Sequence, residues 1–265
     1  MMIFIPSRAR AGKISKLIYQ LPPEYLPRTI VLYPLGEIQS YSAYLEAWDG
    51  ILSIPVPNEW RIARKRRHIG EVATRLGANK FLMLDDDIQF LVRRAPDDWR
   101  LREATPDEIS KCFRFIEILL DSFSHVGVSA REGNNRMGIG TPEGLFSTNT
   151  RLMRAVAWRT ADYNALEHER VEVMEDFDLS LQALRKGGGN ACLYYWAQGQ
   201  RSTGDAGGCA VWRTREVHDA GARKLAELHA PYVRLRQKQN KTGGLAERLE
   251  VTISWKKAAE ESVCT

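Results

Sequence analysis

The segment FLMLDDDIQF, residues 81–90, places Asp85, Asp86 and Asp87 directly after a run of apolar residues. Three neighbouring carboxylates repel one another, and burial increases that cost. The uninterrupted apolar run at 80–84 is typical of a strand buried on both faces of a parallel sheet. Because ligands of open α/β sheets bind beyond the carboxyl ends of the strands, the position of these aspartates indicates a binding site.

The composition is that of a soluble globular protein. The chain has 265 residues, of which 44% are hydrophobic and 27% charged, so it can bury one sizeable core. No apolar run approaches the roughly 20 residues of a membrane span, and the N-terminal segment lacks the features of a signal peptide. The four cysteines are scattered without metal-site spacing, which indicates free thiols in a reducing compartment. We therefore expect a cytoplasmic protein without a membrane partner.

Positive charge is concentrated in clusters. The net charge is +5 and the sequence pI is about 9.0. Basic residues gather at 61–68, at 93–94 and in RLRQKQNK at 234–241. Such clusters can form an anion-binding face, and they can equally be solvated surface charge.

The first 90 residues alternate strand and helix patterns. Apolar runs at 2–6, 28–33, 50–56 and 80–84 predict strands, and amphipathic patterns at 13–21 and 61–77 predict helices. This alternation predicts a parallel sheet with helices on both faces.

The second half of the chain is more mixed. We predict strands at 126–130 and 191–196, a strand turning into a helix at 144–156, helices at 107–124 and 174–189, a glycine-rich loop at 199–209, and a basic helical region to about residue 240. Thr105 is the expected N-cap of the helix at 107–124. We interpret the chain as one domain, with a nucleotide-sugar half at 1–90, an acceptor and catalytic half at 91–210, and a basic C-terminal extension at 211–265.

The three aspartates suit a hard cation. Strand alternation would place Asp85 and Asp87 on one side and Asp86 on the other. Two carboxylates held together favour Mg²⁺ or Mn²⁺, and a cation with only one or two protein ligands keeps positions open for phosphate oxygens. The alternative is an acidic turn or a helix N-cap without a ligand.

Several segments in order resemble the GT-A-fold glycosyltransferases over residues 1–200. The strand followed by D-x-D resembles the metal and donor motif of that fold, and IFIPSRAR (3–10) resembles its first strand and nucleotide-binding loop. The segment RIARKRRHIGEVA (61–73) resembles the helix before the D-x-D strand, and VMEDFDLSLQALRKG (173–187) resembles the acidic segment of the catalytic base. The resemblance implies a GT-A-type, Rossmann-like α/β fold with a mixed, mainly parallel sheet flanked by helices.

This resemblance also implies a donor site for a nucleotide-diphosphate sugar, with a UDP-sugar as the first expectation. Arg66 falls on the apolar side of its helix, where an unpaired guanidinium is costly, so it should reach the donor diphosphate or the D-x-D carboxylates. Snorkelling to the helix edge is the alternative for Arg66, and solvated turn residues are the alternative for Arg8 and Arg10. The expected donor-binding residues are Pro6, Ser7, Arg8, Arg10, Arg66, Asp85 and Asp86.

The expected ligands of Mn²⁺ or Mg²⁺ are Asp87 and Asp85. GT-A enzymes often add a histidine that follows the base helix. His218 and His229 are the candidates here, and His218 is preferred for its nearness to the glycine-rich loop.

Asp176, with Glu175 beside it, is the expected general base. The pair opens a helix, where the dipole favours the ionised carboxylate that a base requires. A base at this position would make the transfer an inverting one. The alternative is that both are ordinary first-turn acids, as we expect for Asp178.

The whole chain resembles the TET-associated glycosyltransferases of bacteriophages in its size, its LDDDI and VMEDFDLSL segments and its basic C-terminal region. That resemblance implies 5-hydroxymethylcytosine in DNA as the acceptor and the cytoplasm of an infected host as the location. The basic tract at 234–241 and the aromatic residues Trp99, Trp212 and Tyr232 suit a polyanion. The alternatives are a glycan or protein acceptor, a metal-dependent nuclease, and a non-catalytic nucleic-acid-binding module.

Overall fold

The computed structural model describes residues 1–200, 212–239 and 247–261. Most of its strands join one mixed sheet. These strands are β1 (Met2–Pro6), β2 (Thr29–Pro34), β3 (Leu52–Val56), β4 (Lys80–Leu84), β5 (Ile88–Ala95), β6 (Asp98–Glu103), β7 (His125–Ala130), β8 (Phe146–Thr148), β9 (Ala155–Arg159) and β10 (Asn190–Gln200).

Helices pack on both faces of this sheet, and the last two pack with the C-terminal region of the chain. The helices are α1 (Ser15–Ile18), α2 (Ile38–Leu45), α3 (Ile62–Arg75), α4 (Pro106–Leu119), α5 (Thr160–Asn164), α6 (Glu175–Arg185), α7 (Arg215–Leu228) and α8 (Trp255–Glu260). Short 3-10 segments occur at Pro23–Arg28, Leu35–Glu37, Arg131–Arg136 and Pro142–Gly144. Within the described ranges, no helix has the length and apolar character needed to cross a membrane.

The sheet confirms the expected fold class. Its order is β3-β2-β1-β4-β9-β7-β10-β5-β6, with β8 paired to β10. Strands β1 to β4, β6, β7 and β10 run in one direction, and β5, β8 and β9 run in the other. Because β1 and β4 are parallel neighbours, their carboxyl ends bring the loop after Pro6 beside Asp85–Asp87.

Alternating side chains of the buried strands enter two cores, one on each face of the sheet. Ile3 and Ile5 pack with the α4 residues Ile109 and Phe113. Phe4, between them in β1, packs on the other face with residues of α3. The predicted N-cap of α4 is confirmed, since the Thr105 side chain accepts a hydrogen bond from the backbone N–H of Glu108.

Several stretches differ from the sequence prediction, which did not include α2 or α5. Residues 88–103 form the antiparallel hairpin β5–β6, which the apolar and polar pattern did not indicate. The predicted strand-to-helix unit at 144–156 is wrong, because the chain makes the short strand β8 and then enters β9. Between these strands Asn149 and Arg154 have φ angles of 52° and 64°, and left-handed residues interrupt a helix.

The C-terminal region is only partly helical. After α7 the chain forms an antiparallel hairpin of β11 (Val233–Gln239) and β12 (Glu247–Ile253), so the prediction of helix to residue 240 is wrong for the basic tract. The hairpin packs on α7, and Val233, Val251 and Ile253 join a third core cluster with Phe177 of α6. Most of the predicted glycine-rich loop lies outside the described residues. The boundaries of the three predicted sections of the chain stay a prediction.

His125 is a buried histidine held in its neutral form. Its ring stacks on Trp158 with centroids 4.2 Å apart. The Ser124 hydroxyl donates to the carbonyl of Gly189 at 2.9 Å, so it accepts from Nδ1–H of His125 at 2.8 Å. Nε2 then accepts from the Asn190 amide at 3.2 Å, and burial lowers the pKa of His125 to about 3. A second ring proton would therefore face another donor.

This network predicts acid lability. In the unfolded chain His125 becomes protonated below about pH 6.5, whereas in the native state it becomes protonated only near pH 3. The free energy of unfolding should therefore fall with decreasing pH by up to about 1.4 kcal/mol per pH unit in that window. Urea unfolding at several pH values should give a shallower dependence for His125→Gln than for wild type. His68→Gln is the control, and equal slopes for wild type and His125→Gln would contradict the assignment.

Candidate active site

Asp85, Asp86 and Asp87 form the turn between β4 and β5. The guanidinium of Arg10 donates from one nitrogen to Asp86 at 2.7 Å and to Asp87 at 2.9 Å. The hydroxyl of Ser7 donates to the other oxygen of Asp86 at 2.5 Å. The expectation that Asp86 lies on the opposite side from Asp87 is therefore wrong, because strand alternation ends at Leu84 and the turn directs Asp86 and Asp87 to the same arginine.

Arg66 joins the two acidic segments of the site. Its Nη2 donates to Asp85 at 3.0 Å, and its Nη1 donates to Glu175 at 2.7 Å. Arg66 thus reaches a D-x-D carboxylate, one of the two partners expected from its place on the apolar side of α3. Burial lowers the pKa of Arg66, but the charges of Glu175 and Asp85 outweigh burial and raise it.

The carboxylates of the site are crowded and poorly solvated. Burial raises the pKa of Asp85 to about 6, and the charges of Asp87 and Asp86 add to this effect while Arg66 opposes it. Burial also raises the pKa of Glu175. This concentration of carboxylates favours binding of additional positive charge.

The loop after β1 is held in place by side chains of α2 and α3. The Ser7 carbonyl accepts from the ammonium of Lys65 at 2.8 Å, and the Ser7 hydroxyl lies 2.5 Å from the Tyr41 hydroxyl. Pro6 ends β1 and is buried, whereas Arg8 is half-buried and forms no ion pair with a described residue. Lys65 and Tyr41 were not predicted. Lys65 precedes the buried Ile69 by four positions, so helical spacing could have placed it on the inner face.

Asp176 lies at the start of α6, beside a narrow cavity. Arg66, Met83, Arg154 and Trp158 contribute to the wall of this cavity together with Asp176. Met174, the residue before the helix, has a φ angle of 66°, and this left-handed turn brings the chain into α6. Asp176 and Glu175 are therefore at the same sheet edge as the aspartate turn.

Asp178 has a different role from its neighbours. It is buried, accepts from the Arg170 guanidinium, and lies 2.7 Å from Nε2 of His229. Burial raises the pKa of Asp178, but the hydrogen bonds from His229 and Arg170 outweigh it and lower the pKa overall. Asp178 therefore ties α6 to the end of α7.

Two further residues approach the aspartate turn from the second half of the chain. The backbone carbonyl of Arg154 accepts from the N–H of Asp85 at 2.8 Å. The Gln200 amide donates to Asp87 at 3.2 Å. Neither residue was predicted, because each depends on a strand partner that is distant in the sequence.

The described contacts do not bring a histidine to the turn. His218 lies buried on α7, with Nδ1 3.9 Å from Asp219, and no hydrogen bond or ion pair among the described residues joins it to Asp85 or Asp87. His229 is engaged by Asp178. A metal-binding role for His218 therefore stays a prediction without support from these contacts.

The chemistry of the turn fits a hard cation that binds together with a phosphate ligand. Carboxylate oxygens are the ligands that Mg²⁺ and Mn²⁺ prefer, and Mg²⁺ is usually held by one or two carboxylates plus substrate phosphates. In the parts of the chain that the structure describes, no three His, Cys, Asp or Glu residues form a complete metal cluster. Asp85 and Asp87 can thus contribute part of a coordination shell.

Comparison with known proteins identifies the family. A sequence model described as TET-Associated Glycosyltransferase matches residues 1–208. The chain belongs to the TET-associated glycosyltransferase family. This TET-associated glycosyltransferase is therefore a sugar-transferring enzyme, as the sequence motifs predicted. A comparison with curated proteins found no match.

Solved structures show that the fold of this TET-associated glycosyltransferase is shared. The S. aureus protein TarS (residues 1–349, with UDP-GlcNAc) has a TM-score of 0.52 and 14% identity, over 85% of this chain and 67% of that chain. A mycobacterial protein has a TM-score of 0.53 and 10% identity, over 95% of this chain and 83% of that chain. At such identities the likeness concerns the fold alone.

Proposed function

We propose that this enzyme transfers a sugar from a nucleotide-diphosphate sugar to the hydroxymethyl group of 5-hydroxymethylcytosine in DNA. The observation that carries the proposal is the ion-pair bridge of Arg66, which joins Asp85 of the aspartate turn to Glu175 at the start of α6. The bridge unites the segments expected to bind the donor and to activate the acceptor. The family match to residues 1–208 supports the reaction class and suggests the acceptor.

The donor would lie at the carboxyl ends of β1 and β4. Pro6, Ser7 and Arg8 form the loop proposed for the nucleoside, and Asp86 is proposed to face the ribose. Arg10 and Arg66 supply guanidinium groups that can pair with the diphosphate. TarS, which has this fold, was crystallised with UDP-GlcNAc, so a UDP-sugar is the first donor to test.

Mn²⁺ or Mg²⁺ is the proposed cofactor, held by Asp85 and Asp87. When bound, such a cation stabilises the negative charge that develops on the nucleoside-diphosphate leaving group. The carboxylates would also keep Arg10 and Arg66 oriented toward the phosphates, because both guanidinium groups are already bonded to them.

Asp176 is the proposed general base. Glu175 is paired with Arg66 at 2.7 Å. Asp176 lines the cavity, and it is the acid of the two that we expect to meet an acceptor. Asp176 would take the hydroxyl proton while the acceptor oxygen bonds to the anomeric carbon. The bond from that carbon to the diphosphate oxygen breaks at the same time, which inverts the anomeric configuration.

The basic tract supports a polyanionic acceptor. In β11 the alternating residues Arg234, Arg236 and Lys238 share one face, and Lys241 lies outside the described residues. Burial lowers the pKa of Arg151, and the charges of Asp176 and of Glu250 in β12 oppose this effect. The charges of both Asp176 and Glu250 act on Arg151, which supports the proposal that the hairpin lies on the acceptor side of the base.

Nucleoside mass spectrometry tests this proposal. Duplex DNA with 5-hydroxymethylcytosine, and the same duplex with cytosine, should be incubated with the enzyme, Mn²⁺ and a panel of nucleotide sugars. The proposal predicts a sugar adduct on the modified nucleoside alone. Adducts formed only on glycan or protein acceptors would overturn the DNA acceptor. DNA cleavage would indicate a nuclease, and binding without any transfer would indicate a non-catalytic module.

The hairpin predicts a strong dependence of DNA binding on salt. If Arg234, Arg236 and Lys238 contact phosphates, changing all three to Ala should reduce the slope of log affinity against log salt by about 2.7, or roughly 0.9 per contact. Fluorescence anisotropy with labelled duplex measures the slope. The charge-matched control changes the exposed helix residues Lys16, Arg75 and Lys111 to Ala. Equal slopes for the two triple variants would show that the hairpin face does not contact DNA.

A further inference from the structure

An open cavity of about 380 Å³ lies beside the β5–β6 hairpin. Its wall includes Arg94, Trp99, Arg100, Arg131 and Asn135, and we call it the Trp99 cavity. The cavity thus combines an aromatic ring with three guanidinium groups and one carboxylate, that of Glu132. Aromatic rings and cationic side chains are the groups that bind single-stranded nucleic acid.

The wall formed by residues 131–138 is held rigidly by Arg93. This arginine is fully buried and donates to the carbonyls of Asn134 at 2.9 Å, Met137 at 3.1 Å and Gly138 at 2.5 Å. It also donates to the carbonyl of Tyr194 in β10 at 3.1 Å. Since these acceptors belong to the loop and to the sheet, Arg93 fixes one against the other. The cavity is therefore preorganised.

The opposite wall presents its side chains to solvent. The ladder between β5 and β6 shifts register between Arg93 and Ala95, and such a bulge redirects the extra residue, here Arg94. Trp99 is 57% exposed, which is unusual for so large an apolar side chain. Arg100 is paired with Asp98 at 2.9 Å, whereas Arg94 and Arg131 have no carboxylate partner among the described residues. Arg94 and Arg131 are therefore available to an external anion.

The Trp99 cavity connects with the active site. A Cβ placed on Gly199 would lie 3.6 Å from the Arg131 side chain, and the next residue, Gln200, donates to Asp87. Glu132, in the cavity wall, lies 3.9 Å from Arg154, whose carbonyl binds the N–H of Asp85. Both connections start at the Arg131 and Glu132 end of the cavity, whereas Arg94 and Trp99 lie at the far end of β5 from the aspartate turn. A nucleic-acid strand that spans β5 can therefore reach both the cavity and the turn.

We infer that the Trp99 cavity binds the unpaired stretch of the DNA strand adjoining the target base, with one base stacked on Trp99 and its phosphates on Arg94 and Arg131. The inference rests on the proposed DNA acceptor and adds the surface to which the DNA strand binds. A base that undergoes chemistry must leave the duplex stack, and its neighbours then become available for stacking on an aromatic ring.

Binding of labelled single-stranded oligonucleotides tests the inference. Trp99→Ala should weaken binding by about tenfold, because stacking of a base on an aromatic ring contributes at this scale, and Trp99→Phe should restore most of the affinity. The double variant Arg94→Ala/Arg131→Ala should reduce the salt slope by about 1.4, or roughly 0.7 per contact on a single strand. Arg75→Ala/Lys111→Ala removes the same charge elsewhere and should leave the slope unchanged. Thermal unfolding of every variant verifies the fold.

Two outcomes separate this inference from the proposed function. If wild type glycosylates 5-hydroxymethylcytosine DNA and the Trp99 and double-arginine variants bind as tightly as wild type, the cavity is overturned and the acceptor stands. If wild type neither binds nor glycosylates DNA, both are overturned. A loss of affinity that Trp99→Phe does not restore would also overturn the stacking role.

Discussion

Asp176→Asn should reduce the rate of sugar transfer by at least about 100-fold, the scale at which a general base contributes. The amide has the size of the carboxylate but cannot accept the hydroxyl proton of the acceptor. Donor affinity should be unchanged, because the guanidinium groups of Arg10 and Arg66 and the aspartate turn remain in place. Isothermal titration with the donor nucleotide and a transfer assay on the same preparation measure the two quantities.

A matched exchange of carboxylate for amide serves as the control. Glu167 lies before α6, with its side chain 75% exposed, so Glu167→Gln should keep full activity. If Asp176→Asn loses donor affinity instead of transfer rate, Asp176 belongs to the donor site. Glu175, although paired with Arg66, would then be the next candidate for the base.

Asp87→Ala should abolish transfer while leaving the fold intact. Asp87 accepts from Arg10 and Gln200 and is expected, with Asp85, to hold Mn²⁺ or Mg²⁺. Without this carboxylate the leaving diphosphate loses its counter-charge. Excess EDTA should abolish transfer by the wild-type enzyme in the same way, and added Mn²⁺ should restore it.

Asp49→Ala is the control for this variant, since Asp49 is an exposed acid on another part of the surface. Circular dichroism should show identical folds for both variants. Full turnover by Asp87→Ala, or by wild type in excess EDTA, would remove the metal from the proposed mechanism.

Much of the N-terminal half could be predicted because local pattern and global fold agree there. The apolar runs of β1 and β4 are buried on both faces, and the position of Arg66 among apolar neighbours correctly indicated an anionic partner. The meeting of Ser7 with Asp86 follows from parallel pairing of these two strands. In this half, periodicity was sufficient to place the four strands and α3, whereas α2 was not predicted.

The second half could not be predicted to the same depth because its structure depends on pairing between segments that are distant in the sequence. In residues 233–239 every second side chain is basic, with Val, Leu or Gln between, which is a strand pattern. Only pairing with 247–253 makes the tract a hairpin. Arg154 has a left-handed backbone and precedes β9, and its carbonyl accepts from the N–H of Asp85. The sequence around Arg154 contains no pattern that indicates this conformation. Gln200 reaches Asp87 through the pairing of β10 with β5.

The central claim is that Asp176 activates the acceptor for a single displacement at the carboxylate centre formed around Arg66. The most direct test is the anomeric configuration of the glycosylated nucleoside, measured by NMR against that of the donor sugar. The proposed mechanism predicts the inverted configuration. A product with the configuration of the donor would contradict the single displacement, and with it the role of Asp176.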